Sequence, residues 1–223
     1  MLTDDPGTPA SGHWENNFAI TFERRSHEVA FEAPTIDLNY GIGDRIQLTL
    51  QTSAALLKRS GHGLIGGLGS TEAALKWRFL EQNRDGVSMS TAPRIIFNVL
   101  QSSVRRGLAD DGTRVQLPVE VARKIGRLDL DFELGALVRT VGRSEWLYGI
   151  VGGIDLVPGT ALMAELHGSA RSNFSRDFLT VNIGLRQKLS DSCILITSLG
   201  HEVRSPNDEP LALIGYLGLQ LPY

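Results

Sequence analysis

The chain has 223 residues, of which 42% are hydrophobic and 21% are charged, and its formal net charge is −3. This composition excludes a disordered chain, and the charge gives no sign of a nucleic-acid-binding surface. No run of about 18 apolar residues is present, which excludes a transmembrane helix. The single cysteine, Cys193, excludes an intramolecular disulfide and a cysteine-rich metal site. A membrane β-barrel has this composition, because every second residue of each strand is polar.

The chain begins with a polar segment rich in Pro, Gly, Ser and Thr. Residues 1–12 are predicted to form an extended N-terminal arm rather than a domain, and residues 13–223 to form a barrel. Residues 1–6 lack the basic region and the apolar core of a secretory signal. Because an outer-membrane protein is exported, we expect that a leader has been removed from this chain.

Apolar and polar residues alternate in segment after segment of the chain. Successive side chains of a strand point to opposite faces, so this alternation predicts strands with one apolar and one polar face. The predicted strands are residues 14–24, 28–40, 46–57, 72–81, 87–99, 114–123, 128–138, 146–157, 160–168, 178–189, 193–203 and 211–223. They number about twelve, and bacterial barrels have an even number of strands.

The hairpin of residues 114–138 shows the alternation most clearly. Apolar residues occupy every second position of its strands: Val115, Leu117, Val119, Val121, Leu128, Leu130, Phe132 and Leu134. Charged and polar residues lie between them: Arg114, Gln116, Glu120, Asp129, Asp131 and Glu133. The strands run about ten residues each, against a usual five or six in soluble sheets. That is the length a tilted strand needs to cross a membrane.

Every second connection between the predicted strands is a tight turn, and most of the others are long, the exception being the short connection at residues 25–27. Tight turns are predicted at residues 41–45, 82–86, 124–127, 157–160 and 189–192, and longer loops at residues 58–71, 100–113, 140–145, 169–177 and 204–210. Outer-membrane barrels have short turns on the periplasmic side and longer loops outside. The sequence therefore predicts an all-β fold, a single antiparallel up-and-down transmembrane β-barrel of about 12 strands.

Aromatic residues fall near the ends of the predicted strands. The candidate membrane-girdle residues are Trp14, Tyr40, Trp77 and Tyr223 at the periplasmic ends, and Trp146 and Tyr148 at the outer ends. Two girdles of amphipathic rings at the interfaces are typical of membrane barrels. The alternative is that these rings lie at strand ends without any contact with a membrane.

The C-terminus and several other segments resemble known outer-membrane proteins. Residues 216–223 resemble the final-strand signal of such proteins, which has a terminal aromatic residue, a hydrophobic residue two before it and a glycine five before it. Other segments resemble a family of outer-membrane transporters associated with the meta-cleavage pathway of phenol degradation: TDDPGTP (3–9), GHWE (12–15), DLNYG (37–41), RIQL (45–48), KWRF (76–79), SSVRRG (102–107) and LPVE (117–120). The resemblance implies an outer-membrane barrel that passes small, often aromatic compounds, and it carries over no catalytic or binding residues.

The polar faces of the predicted strands would line the lumen. The lumen candidates are Lys76, Arg78, Glu120, Asp129, Asp131, Glu133, Asp155, Glu165, His167, Arg186 and Lys188. Both signs of charge are present, which is compatible with two interpretations. The residues form a cross-strand network of ion pairs that fills the interior, or they line an aqueous path and set its selectivity.

Three sequence patterns could suggest an enzyme. Residues 61–66 match the GxGxxG pattern of dinucleotide-binding proteins, but no helix is predicted after them, so a flexible loop is favoured. Glu165, His167 and Ser169 share one strand face, which does not place a base against a nucleophile. Neither His27 nor His201 has a second histidine at the spacing of a zinc protease. We therefore expect no catalytic residue, metal site or cofactor, and no enzymatic activity.

Three functional hypotheses follow from the predicted fold. The leading one is passage of small molecules, including aromatic or hydrophobic ones, across the bacterial outer membrane. The second is a closed, non-conducting barrel that serves as an anchor or subunit of an envelope assembly. The third is a soluble barrel that binds a ligand, which requires an apolar interior and a polar exterior. The expected partners are outer-membrane lipid, the barrel-assembly machinery and a small-molecule cargo, and no nucleic acid.

Overall fold

The computed structural model describes residues 1–171, 173, 177–205 and 210–223. Within these residues, the strands and helices are β1 (Trp14–Arg24), β2 (Glu28–Ile42), β3 (Ile46–Arg59), β4 (Leu64–Leu80), α1 (Gln82–Asp85), β5 (Ser88–Thr91), β6 (Arg94–Phe97), α2 (Gln101–Arg106), β7 (Arg114–Ile125), β8 (Leu128–Arg139), β9 (Glu145–Val157), β10 (Thr160–Arg171), β11 (Asp177–Ser190), β12 (Cys193–Arg204) and β13 (Leu213–Pro222). Neither helix of this described part has the length or the apolar character needed to cross a membrane.

The strands form one closed antiparallel barrel. Consecutive strands pair along the chain, and β1 pairs with β13 over ten register positions from Glu15–Pro222 to Arg24–Leu213. The segments β5 and β6 occupy a single place in the wall, because both pair with β4 on one side and β7 on the other. The wall therefore has twelve positions, which confirms the predicted fold class.

The predicted strand at residues 87–99 is divided at Pro93. Proline has no backbone N–H, so it cannot donate to the hydrogen-bond ladder. The carbonyl of Pro93 still accepts a hydrogen bond from the backbone N–H of Leu75 at 3.1 Å. On the other side, the Thr91 hydroxyl donates to the carbonyl of Pro118 on β7 at 2.7 Å. These two bonds keep the wall continuous where Pro93 separates β5 from β6.

The predicted loop at residues 58–71 is wrong. β3 continues to Arg59, β4 begins at Leu64, and Lys58 lies opposite Leu64 in the register, so residues 60–63 form a tight hairpin turn. Glycines at 66, 67 and 69 carry no side chain, which hides the strand alternation in the sequence. The GxGxxG segment is therefore a turn and a strand rather than a flexible loop.

Other predicted connections differ in detail. The turn at residues 82–86 contains the single-turn helix α1, and the loop at residues 100–113 contains α2. The predicted loops at 169–177 and 204–210 include residues 172, 174–176 and 206–209, which lie outside the described residues. Both termini of the barrel lie at one end, together with the turns at residues 43–45, 126–127, 158–159 and 191–192, and this end is called the inner end below. The opposite end, which carries α2, is called the outer end.

The distribution of polarity is inverted relative to a soluble protein. Large apolar side chains are exposed on the outside, including Leu50, Leu134, Ile183, Leu199 and Leu217. The most buried residues include charged and amide side chains such as Glu120, Glu133, Glu165, Asn182 and Lys76. An apolar exterior around a polar interior suits a barrel surrounded by lipid. It is the reverse of what the soluble ligand-binding hypothesis requires.

The predicted girdle residues lie at the two ends of the wall. At the inner end, Trp14 and Tyr223 exchange two backbone hydrogen bonds of 2.8 and 2.9 Å, and the rings of Trp14 and Tyr40 lie 4.8 Å apart. Trp77 is half exposed near the inner end of β4. Trp146 and Tyr148 lie near the outer end of β9. Their contact with membrane interfaces stays a prediction.

Candidate functional site

The lumen is the candidate functional site, and the N-terminal arm (residues 1–12) lies inside it. The arm enters from the inner end, where the Gly12 N–H donates to the Gly41 carbonyl at 2.9 Å. The Ser11 hydroxyl accepts a bond of 3.2 Å from the Gly43 N–H. Beside the arm is a cavity of about 710 Å³, lined by arm residues and by side chains of the wall.

Several glycines of the wall lie against the arm, and Gly41 and Gly149 do so most closely. A Cβ atom at Gly41 would lie 2.2 Å from the carbonyl oxygen of Ala10, which is a backbone atom that cannot rotate away. A Cβ atom at Gly149 would lie 2.1 Å from the Thr3 hydroxyl oxygen. Glycine permits such a close approach because it has no side chain. The backbone of the wall therefore approaches the arm closely near Ala10 and near Thr3.

Glu165 holds the tip of the arm. Its carboxylate accepts hydrogen bonds from the backbone N–H groups of Leu2 at 2.9 Å and Thr3 at 2.5 Å. The side-chain amide of Asn182 donates a third bond of 2.6 Å. Glu165 is 3% exposed, so these donors replace the water that a carboxylate would otherwise bind.

Asp4 is clamped by two cations of the wall. Its carboxylate lies 2.9 Å from Lys76 Nζ and 3.2 Å from Arg94 Nη2. Lys76 also donates to the carbonyl of Asp5 at 2.5 Å, and the Asp4 N–H donates to Glu133 at 3.2 Å. We call this group of five residues the Asp4 clamp. It joins the arm to β4, β6 and β8 through charge-assisted hydrogen bonds.

The Asp4 clamp continues into the wall through Glu120. The Lys76 ammonium lies 3.7 Å from the Glu120 carboxylate, which also accepts a hydrogen bond from the Ser90 hydroxyl. Glu120 is fully buried, and it lies directly opposite Glu133 in the register of β7 and β8. Like charges opposite each other are destabilising unless cations compensate them. Lys76 supplies that compensation from β4.

The remaining lumen candidates divide into two groups. Lys124 binds Asp129 at 2.8 Å and Asp155 at 2.9 Å near the inner end, where both carboxylates are partly exposed. Lys188 binds Asp191 at 2.7 Å in the turn before β12. These pairs lie away from the arm and belong to the inner rim.

Of the other four candidates, two line the cavity and two do not. Asp131 and Arg186 line the cavity, and Arg186 donates to the side chain of Gln220 at 3.0 Å. Arg78 donates to the carbonyl of Asp44 at 2.5 Å. His167 follows Glu165 on the same strand face, in a position that faces the lumen. Asp131 forms no hydrogen bond or ion pair with another described residue.

Sequence reasoning did not find the arm's place in the lumen. It therefore missed Asp4, Glu72 and Arg94, although Arg94 links the first two with contacts of 3.2 and 3.3 Å. The arm has no periodic pattern, so nothing in its sequence indicates what it packs against. The one available signal was the pair of acidic residues, Asp4 and Asp5, in an arm that precedes a barrel with lumen cations.

Comparison with known proteins identifies the fold. No family model matches the chain, and no curated protein matches it. An outer membrane channel from Pseudomonas putida F1 has a TM-score of 0.76 at 14% identity, with 100% of each chain covered. The NanC porin has a TM-score of 0.68 at 7% identity, and the KdgM porin 0.64 at 8%, each covering 92% of this chain and 98% of the porin. The fold is therefore that of outer-membrane channel barrels, and the resemblance to the phenol-pathway family stays a prediction.

Proposed function

We propose that this protein is a channel of the bacterial outer membrane for small molecules, and that its N-terminal arm restricts the passage. The observation that carries the proposal is a polar cavity of about 710 Å³ inside a closed barrel, bounded by a segment that belongs to no strand. If the lumen were filled only for stability, the side chains of the wall would be expected to fill it, as they do in small barrels. Here a separate, removable segment takes that place.

The contacts of the arm suit a movable element. Glu165 and the Asp4 clamp hold it mainly through hydrogen bonds and ion pairs, which water and dissolved ions can replace. The buried apolar cluster of the described residues, formed by Ala55, Leu57 and Leu108, lies in the wall and near α2, and includes no arm residue. The arm can therefore leave without exposing a large apolar surface to water.

The cargo that this lumen suits is small and polar or amphipathic. Both signs of charge line the cavity, as Lys76, Arg94 and Arg186 lie there with Asp37, Glu72 and Asp131. The resemblance to the phenol-pathway family supports small aromatic compounds as part of that class. Outer-membrane lipid would surround the barrel, and the barrel-assembly machinery would insert it.

The second candidate function is a closed barrel that anchors an envelope assembly. The close fit of the arm against Gly41 and Gly149 favours it, because a permanent plug would need such a fit. The two candidates differ in one measurable property. A channel conducts ions whenever the arm moves, whereas an anchor stays silent even when the arm is loosened.

The change Asp4→Asn tests the proposal in planar lipid bilayers. It removes the charge that binds Lys76 and Arg94, while Lys76 keeps Glu120 and Arg94 keeps Glu72 as partners. We expect more frequent channel openings than in the unmodified protein. The control is Asp44→Asn in an exposed tight turn, which should leave the openings unchanged. Silent bilayers for all three proteins, each correctly folded, would favour the anchor.

A further inference from the structure

A shallow, open depression lies at the outer end of the barrel, away from the arm. It has a volume of about 430 Å³ and is lined by Arg139, Val141, Gly142, Arg143, Glu145 and Arg171. We call it the arginine cleft. The end of β8, the connection to β9 and the end of β10 form its walls. Three of its six lining residues are arginines, and one is acidic.

The arginine cleft opens on the lumen side of the wall. Arg139 shares a face of β8 with Leu137 and Glu133, both buried, whereas the neighbouring Val138 is 46% exposed on the outer face. Arg171 shares a face of β10 with the buried Glu165. Because alternate residues share a face, both arginines face the mouth of the barrel rather than lipid. A ligand would reach them from the outer solution.

Positive charge is in excess in the arginine cleft. Arg139 lies 3.3 Å from Glu145 and 3.8 Å from Asp110, and Asp110 also binds Arg114 at 2.5 Å. The two carboxylates therefore compensate Arg114 and Arg139. Arg143 and Arg171 form no ion pair within the part of the chain that the structure describes. Two cations in a shallow, solvent-open site are thus left to bind an external anion.

The geometry points to a binding site for a small multivalent oxyanion, a polycarboxylate or a phosphate compound, at the outer mouth of the barrel. The guanidinium group is planar and presents several N–H donors that match carboxylate and phosphate oxygens. Arg143 and Arg171 would bind the anion directly, while Arg139 stays held by Glu145. The inference rests on the proposed function in one respect, since a solute held here would be one that enters the channel.

Titration calorimetry of the full chain in neutral detergent at low salt tests this site, with citrate and pyrophosphate as the probes. The double variant Arg143→Gln/Arg171→Gln removes the two uncompensated cations. The control double variant Arg24→Gln/Arg105→Gln removes two exposed arginines at the same end but outside the cleft. Both variants lose the same net charge, so a comparison of the two isolates the site from the overall field of the protein.

The expected result is binding of at least one probe with a single site per chain. The double variant in the cleft should weaken it about tenfold or more, the control should leave it within about twofold, and molar KCl should abolish it. Equal weakening in both variants, or no binding of either probe by the unmodified protein, would overturn the inference. The titration is repeated in vesicles that contain lipid A. If the probes bind in detergent but not in these vesicles, the inference is also overturned, because the ligand of the site would then be a lipid headgroup. Calorimetry does not depend on conductance. Binding can therefore be measured even if the barrel conducts no ions and the proposed function fails.

Discussion

Removal of residues 2–11 is expected to raise the single-channel conductance of the barrel several-fold. These residues fill the lumen beside the cavity of about 710 Å³, and they form no strand of the wall. Without them, water replaces the arm at Glu165, Lys76 and Arg94. The measurement is single-channel recording in planar bilayers, with liposome swelling in neutral sugars as a second readout.

The fold of the shortened protein needs its own check. A closed barrel has no free edge and resists detergent, so unboiled and boiled samples should still migrate differently on gels. The matched control keeps the arm but changes Asp44→Asn in the exposed turn between β2 and β3. A folded, shortened barrel with unchanged conductance and swelling would show that something other than the arm closes the lumen.

Lys76→Met is expected to lower the free energy of unfolding by about 3–5 kcal/mol, the cost typical of breaking a buried ion pair by removing one partner. Lys76 is 4% exposed and lies between the carboxylates of Asp4 and Glu120. Without the ammonium group, the opposed Glu120 and Glu133 face each other with less compensation. Unfolding in guanidinium chloride, followed by tryptophan fluorescence in lipid vesicles, measures the change.

Two further variants separate charge from packing. Lys188→Met removes a half-exposed lysine paired with Asp191, and an exposed pair of this kind contributes about 1 kcal/mol or less. Adding Glu120→Gln to Lys76→Met removes one of the uncompensated carboxylates and should recover part of the loss. A cost for Lys76→Met no larger than that for Lys188→Met would contradict the role assigned to Lys76.

The alternation of polar and apolar residues was sufficient to predict most of the wall. Lipid on one side and a polar lumen on the other impose that period on every strand, so the hairpin of β7 and β8 matched residues 114–138 closely. The prediction failed where the period is hidden. Three glycines near the start of β4 carry no side chain, and Pro93 divides a strand that the pattern alone treats as continuous.

Only the wall residues of the candidate site could be predicted from the sequence. Lys76, Glu120, Glu133 and Glu165 were identified because they lie on the polar face of strands. Their partner, the arm, was not placed, since Thr3 and Glu165 are 162 positions apart in the sequence and the arm has no periodicity. A contact of that kind depends on closure of the barrel, which brings distant strands around one lumen.

A disulfide that fixes the arm tests the central claim most directly. The Cβ atom of a residue at 149 would lie 3.2 Å from the Thr3 Cβ, close to the separation of about 3.5–4.5 Å in disulfides. The variant is Thr3→Cys/Gly149→Cys with Cys193→Ser, and its control is Thr3→Cys with Cys193→Ser, which keeps Gly149 and can form no disulfide. Under oxidising conditions, the account predicts that the double-cysteine protein shows only the smallest conductance level in planar bilayers, and that a reductant restores larger openings. Large openings that persist while the disulfide is intact would contradict the claim that the arm restricts the channel.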